Sequence, residues 1–335
     1  MKSRWAWAVL AIMPSPSRAS PLDYLHSAGN RAGHIVTLTW GTLTISLAVI
    51  VVISLLVLAG IWRRSPSPIA SNERVPVSHP KGGEAWIWIG VSASTLALLF
   101  TVVWTMVVLA QTAAPAKQPA LTIEVTGHQW WWQIRYLSSD PAQVFSTANE
   151  LHIPVREPVK VVLVGGDVIH SFWIPALAGK TDVIPGQTNE TWLQASQPGV
   201  YRGTCAEYCG IQHAKMGLLA VAQSPSDFTG WRNHQLQSPA SPTNGQQWAG
   251  LAQFTMHCGG CHAVRGTDAA GALGPDLSHL AQRRTLAAAL LPNDAAHLTA
   301  WVSDPQSPKP GNLMQKPELS RNELADIRAY LETLN

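Results

Sequence analysis

The four cysteines of this 335-residue chain fall into two ligand patterns and leave none over. Cys205, Cys209, His213 and Met216 lie in Cys-Ala-Glu-Tyr-Cys-Gly-Ile-Gln-His-Ala-Lys-Met at spacings of 4, 4 and 3. Cys258, Cys261 and His262 form Cys-Gly-Gly-Cys-His, the covalent attachment signature of a c-type haem. Thiolate, imidazole and a weak thioether are the ligands of electron-transfer copper. Both patterns in one chain point to electron transfer. Two disulfides in an exported protein are the plain alternative, and they would leave the flanking His and Met residues idle.

A mononuclear blue site takes one Cys, two His and a Met. Two cysteines four residues apart on one loop suit two copper ions bridged by two thiolates, each ion then needing a terminal imidazole. His213 supplies one and Met216 an axial sulfur. His170, in Asp-Val-Ile-His-Ser-Phe-Trp-Ile-Pro, is the upstream candidate for the other imidazole. Zinc competes for Cys and His clusters, but the spacing and the upstream His phrase favour copper.

In the haem motif, Cys258 and Cys261 provide the thioethers and His262 the proximal ligand. A Met in the sixth position raises the potential. Met314 follows His262 by 52 residues, at the end of Pro308-Lys-Pro-Gly-Asn-Leu-Met314. His279 and His297 compete for that position, whereas Met256 is too near the motif to reach round the haem. Trp301 reads as packing against the porphyrin.

These residues need elements to hold them. Only 13% of the chain is charged, 46% is hydrophobic and fifteen residues are Trp. Soluble domains are about a quarter charged, so part of the chain belongs in lipid. Residues 35–62 and 85–116 hold no charge, and each stretch exceeds the roughly 20 residues that cross a bilayer core. They predict a transmembrane hairpin with spans at 35–62 and 85–110. Trp40, Trp62, Trp86, Trp88 and Trp104 lie in or near the spans, several at the lipid–water boundary. The intervening loop carries Arg63, Arg64, Arg74 and Lys81 against Glu73. It is therefore cytoplasmic, and both termini face outward, as in a multi-pass protein of a bacterial inner membrane. Met1 to Ala19 resembles a short signal peptide cleaved after Ala19. A scattered net charge of +3 excludes nucleic acid as the evident partner.

The predicted organisation is an N-terminal segment at 1–33, the hairpin at 34–112, an all-β domain at 113–223, a Ser/Pro-rich linker at 224–245 and an all-α domain at 246–335. Leu121–Val125, Glu150–Val155, Pro158–Val164, Thr191–Ala195 and Gly217–Ala222 read as strands of a sandwich or barrel. Helices are expected over 246–254, 294–303 and 320–334, with Ser320 and Glu323 as a capping box. A flexible linker of about 20 residues would reach some 25 Å and hold the last domain at an effective concentration in the millimolar range.

The chain resembles subunit II of the haem–copper cytochrome c oxidases. The resemblance rests on the Asp167–Leu177 phrase around His170, on Lys180-Thr-Asp-Val-Ile-Pro-Gly186, on Cys205 to His213 and on the hairpin. It implies a cupredoxin-like Greek-key domain with a dinuclear CuA centre. Its ligands would be His170, Cys205, Cys209, His213 and Met216 through side chains, and Glu207 through its backbone carbonyl. The Glu207 carboxylate would reach a magnesium ion shared with subunit I. In Gly127-His-Gln-Trp-Trp-Trp132, the resemblance makes Trp130 an exposed ring receiving electrons from cytochrome c, where an aromatic core strand is the alternative. Trp131 departs from the Tyr usual in the family. Glu84 would lie at the mouth of a proton channel in subunit I, or simply at the membrane edge, and the Pro that commonly follows it is missing. The C-terminal domain, with Gly274-Pro-Asp-Leu277 and Met314, resembles class I cytochrome c.

What this implies is subunit II of a proton-translocating cytochrome c oxidase. It would pass electrons from cytochrome c or the fused haem c through CuA to an oxygen-reducing centre in subunit I. No set of intramembrane histidines exists here to hold that centre, so subunit I, with subunit III, is another chain. The alternatives are the electron-input subunit of another terminal reductase, such as a CuA-type nitric oxide reductase, and a membrane-anchored electron carrier.

Overall fold

The computed structural model describes residue 22, residues 24–63 and residues 83–335. The signal-peptide expectation, and Arg64, Glu73, Arg74 and Lys81 of the inter-span loop, lie outside the described residues. Two long helices, α1 (Asn30–Trp62) and α2 (Gly83–Ala113), contain the predicted apolar stretches. Both are long and apolar enough to cross a membrane, and their large side chains are mostly exposed. They touch where Gly41 leaves room for Trp104: a Cβ there would lie 2.1 Å from the indole. A small residue is what such close helix contact needs.

The hairpin is fastened to the next domain at the end where α1 starts and α2 finishes. Arg31 donates to Thr191 Oγ1 at 2.5 Å and to the Trp192 carbonyl at 3.1 Å, while its guanidinium lies 5.4 Å from the centre of the Trp192 ring. Trp192 Nε1 donates to the Thr112 carbonyl at 3.1 Å.

Residues 121–223 form a two-sheet sandwich. The first sheet runs β3 (Phe145–Ala148), β2 (Trp131–Leu137), β1 (Leu121–His128), β5 (Val159–Gly165), β8 (Thr188–Leu193). The second runs β4 (Glu150–Pro154), β10 (Gly217–Gln223), β9 (Gly199–Cys205), β6 (His170–Trp173), β7 (Thr181–Val183). β1 with β5 and β4 with β10 are parallel, so the order is a Greek-key-like crossover rather than a meander. Alternate residues Ile123, Val125, Ile134, Tyr136, Val161 and Leu163 turn inward, as a strand period of two requires. Each such side chain is worth about 1.5–3 kcal/mol when fully buried.

The stretch expected as a flexible linker is half helix. α3 (Pro225–Gln235) starts at Ser224, whose side chain accepts from the Asp227 amide. Ser before Pro in the first turn is a helix start, hidden here inside Ser/Pro-rich composition. Trp231 of α3 stacks on His152 at 4.0 Å and packs on Tyr136 and Phe145. This part of the connection is fixed to the sandwich rather than free.

The C-terminal domain holds α4 (Gly245–His257), a short hairpin of β11 (Thr285–Leu286) and β12 (Leu291–Pro292), α5 (Ala295–Ser303) and α6 (Arg321–Leu331). α4 crosses α6 at Gly250, where a Cβ would lie 2.0 Å from the Asp326 carbonyl. Phe254, Leu298, Val302, Ile327, Tyr330 and Leu331 fill the core. The Ser320–Glu323 capping box is formed.

Candidate metal centres

The loop between β9 and β10 folds back so that both cysteines meet His170. The Cys205 amide donates to the Met216 carbonyl and the Ala206 amide to the Ser171 carbonyl, closing the loop base. Gly210, at φ +115°, carries the chain past Trp130, where a Cβ would stand 3.0 Å from the indole. The donors then form a chain. His170 Nδ1 lies 3.8 Å from Cys205 Sγ, Cys205 Sγ 3.7 Å from Cys209 Sγ, and Cys209 Sγ 3.6 Å from His213 Nδ1. Met216 Sδ stands 3.8 Å from Cys209 Sγ, and the Glu207 carbonyl 3.2 Å from Cys205 Sγ.

This arrangement fits metal. At 3.7 Å the sulfurs are far beyond the ~2.05 Å of a disulfide. They are within the span of two metal–thiolate bonds of about 2.3 Å each. Imidazole at each end, two sulfurs between them and a flanking thioether suit a thiolate-bridged copper pair. Cys205 is held well below the usual thiol range, first by the hydrogen bond from Cys209, then, against the opposing effect of burial, by His170 and backbone contacts at Ser171 and Glu207. A ready thiolate is what a metal ligand requires.

Asp167 supports the site without belonging to it. Its Oδ1 accepts from His170 Nε2 at 2.8 Å, which leaves Nδ1 facing the sulfurs. Burial opposes ionisation of Asp167, but hydrogen bonds from His170, Val168 and Gln129 prevail and lower its pKa. Gly127 lies beneath the imidazole, where a Cβ would come within 2.8 Å of it.

The haem motif is also arranged for its ligand. Cys258 ends α4, and the His262 amide donates to the Cys258 carbonyl at 2.9 Å. His262 Nδ1 donates to the Pro275 carbonyl at 2.8 Å, leaving Nε2 for iron. Burial lowers the His262 pKa, outweighing the raising effect of the Pro275 bond, and keeps the imidazole neutral as a ligand must be. Gly274 leaves a cradle for the ring, since a Cβ would meet it at 2.6 Å. Gln306 braces the Met314 loop by donating to the Asn312 and Met314 carbonyls. His279 has both ring nitrogens engaged, with the Asn335 and Gln237 carbonyls, and His297 is tied to Asp294 on the surface.

The expectation of an exposed Trp130 ring is corrected: Trp130 is 7% exposed. Its Nε1 donates to the Cys209 carbonyl at 3.0 Å, beside Gln129 Nε2 at 2.8 Å. Lys309 of the C-terminal domain donates to the Trp130 carbonyl at 2.7 Å. Trp132 fills the aromatic-core role, fully buried against Phe172 and His170. Trp131 stacks on His128. The Glu207 carboxylate is exposed and 3.9 Å from Lys180. Glu84 sits exposed in the first turn of α2. The sequence reading missed Asp167 as a support, although it stands three residues before His170. It also missed Lys309, Gln212 and Lys215, which no local pattern marks.

A family model for the periplasmic domain of cytochrome c oxidase subunit II matches residues 136–223, and one for cytochrome c matches residues 248–335. Among curated proteins, cytochrome c oxidase subunit 2 of Alkalihalophilus pseudofirmus is 41% identical over 214 residues, which is 63% of this chain and 60% of that protein. The protein of the same name from Bacillus sp. strain PS3 is 33% identical over 227 residues, 64% of this chain and 62% of that one. The chain thus spans about three fifths of the length of these relatives. The solved periplasmic domain of cytochrome oxidase subunit II from Bradyrhizobium japonicum is 32% identical, covering 36% of this chain and 96% of that one at a TM-score of 0.34. By the two family matches, this chain joins a domain of the cytochrome c oxidase subunit II family to a C-terminal domain of the cytochrome c family.

Proposed function

We propose that the chain is the electron-input subunit of a haem–copper oxidase, anchored by α1 and α2 with both metal domains on the outer side of a bacterial inner membrane. The observation that carries this reading is the ordered set His170, Cys205, Cys209, His213 and Met216, hydrogen-bonded through Trp130 and Lys309 to a haem-attachment domain. When bound, a dinuclear copper centre and a c-type haem supply reversible one-electron exchange. The protein's own residues would hold the two groups. Asp167 fixes the His170 ring, Pro275 fixes that of His262, and Trp130 links the Cys209 backbone to the haem domain. Cytochrome c or another respiratory donor is the source of electrons. Subunits I and III are the partners, with oxygen reduction and proton translocation in subunit I. In this reading Glu84 lies beside a proton route in subunit I. The exposed Glu207 carboxylate, facing Lys180, would join a magnesium ion only once subunit I completes the site.

The test is electron paramagnetic resonance with metal analysis on the full chain purified with its partners. A mixed-valence signal shared over two coppers, one haem per chain and a co-purifying oxygen-reducing subunit are expected. A copper-free or single-copper chain would overturn the reading. A nitric oxide-reducing partner would instead make it the input subunit of that reductase.

A further inference from the structure

Three consecutive alanines at the tip of the β11–β12 hairpin, Ala287, Ala288 and Ala289, have φ of 54°, 64° and 58°. A left-handed backbone is unfavourable for any residue with a Cβ, and glycine is the usual occupant. Here it turns three successive carbonyls onto three donors. Ala287 O accepts from Lys309 Nζ at 3.2 Å, Ala288 O from the Gly217 amide at 3.0 Å, and Ala289 O from Arg202 Nη1 at 2.9 Å. Arg202 is in β9 and Gly217 opens β10, the two strands that flank the copper loop. A Cβ on Gly217 would lie 3.0 Å from Ala288 O, so the approach itself depends on that glycine.

Lys309 joins this turn to the copper side. It is 3% exposed, and its ammonium also donates to the Trp130 carbonyl at 2.7 Å. The prolines on either side of it accept from the copper loop. Gln212 Nε2 donates to Pro310 O at 2.6 Å and Lys215 Nζ to Pro308 O at 2.7 Å. At the far edge of the sandwich, Glu150 Oε2 accepts from the Arg284 amide at 2.9 Å. The contact therefore runs unbroken from β4, past β9 and β10, to the loop that leads to Met314. It consists of directional bonds to main-chain groups, which specify a single pose.

We propose that the left-handed Ala287–Ala289 turn and Lys309 form a docking key that holds the haem domain in one fixed pose on the copper domain, with Lys309 as its positioning residue. The pose stands on geometry alone, whereas its consequence for electron delivery rests on the function proposed above. It places the loop that leads to Met314 against the Trp130 main chain, through Lys309 Nζ on the Trp130 carbonyl. With both groups bound, the haem held by Cys258, Cys261 and His262 would supply one electron to the copper held by His170, Cys205, Cys209 and His213, and no proton or other reactant would be required.

The experiment is hydrogen–deuterium exchange on the full chain, read at the Gly217 amide and across residues 285–293. Haem-to-copper electron transfer is timed in the same preparations. Lys309→Ala is expected to raise exchange at Gly217 by about tenfold or more and to slow transfer, leaving the haem and copper spectra intact. Lys309→Arg, which restores donors, should recover part of both. Should Lys309→Ala fail to fold, Ala288→Val decides, because a β-branched residue resists the left-handed region, whereas Ala288→Gly must keep the protection. Unchanged exchange in both Lys309→Ala and Ala288→Val would overturn the key. Lost protection with an unaltered transfer rate would overturn the positioning role. A wild-type chain lacking the copper signal would sink the proposed function without touching the exchange result.

Discussion

The Asp167 carboxylate accepts from His170 Nε2 at 2.8 Å and from the Gln129 amide at 2.6 Å, so one side chain ties the buried imidazole to the turn that carries Trp130. Asp167→Asn keeps the shape but removes the charge that fixes the imidazole tautomer. Loss of such an outer partner lowers metal affinity by about 10–100-fold. Competition against a copper chelator checks this, with haem content as the internal control. Unchanged copper retention would mean that the ring is held by packing alone.

Gly127 is required by contact rather than by conformation. Gly127→Ala would place a methyl 2.8 Å from His170 Cδ2 and 3.1 Å from Cγ. The imidazole must move, and overpacking of this kind costs about 1–3 kcal/mol. The expected outcome is an altered copper spectrum and reduced copper content with normal haem attachment. A native copper spectrum would show that β1 gives way instead of the ring.

Much of the copper site was legible because its ligands are rare residue types at short spacing on one loop. Cys205, Cys209, His213 and Met216 need only the β9–β10 turn to meet, and the His170 phrase marks itself. The strands that alternate cleanly, such as β1 and β5, were equally plain. β2 was hidden because Trp130-Trp131-Trp132 reads as aromatic without period, although Trp130 and Trp132 are buried in the core and Trp131 between them is not. The docking of the haem domain could not be read at all. Lys309 lies 179 residues from its partner Trp130, and a lysine between two prolines signals a solvated loop. The left-handed alanines carry no sequence mark, because the composition that would flag such a turn is glycine. α3 was lost for the opposite reason, a helix start mistaken for linker chemistry.

The docked Lys309 should make the interface depend on pH. Burial pulls its pKa down to about 7, opposed by the nearby Cys209 and reinforced by Lys215. An undocked lysine keeps its proton to about 10.4. Between those values the undocked state binds more protons, so docking strengthens as pH rises from about 7. Below about 7 both states are protonated, and docking is weakest and flat with pH. Gly217 protection, corrected for intrinsic exchange, is therefore expected to increase between pH 7 and 9 in the native chain. In Lys309→Met the increase should vanish. A slope that persists there would assign the titration to another group.

Met314 is the sixth haem ligand we propose, and the surrounding bonds favour it over the two histidines. His279 is buried with Nδ1 2.8 Å from the Asn335 carbonyl and Nε2 3.1 Å from the Gln237 carbonyl, its neutral ring donating to one of the two, and His297 closes the α5 cap with Asp294. Neither can turn to iron without giving up those partners. Met314 is half-buried, its amide donates to Asn312 Oδ1 at 2.8 Å and its carbonyl accepts from Gln306 Nε2 at 2.8 Å, so these bonds set the backbone and leave the thioether out of them. A thioether raises the haem potential. Met314→Ala should therefore lower it by a substantial part of the roughly 0.8 V range that axial ligands span. The haem stays attached through Cys258 and Cys261, and the copper signal should not change. A potentiometric titration of the full chain reads this directly, and an unaltered potential would place the sixth ligand elsewhere. The same variant separates ligation from docking. Lys309 stands five residues before Met314, so Gly217 protection should survive the loss of the sulfur.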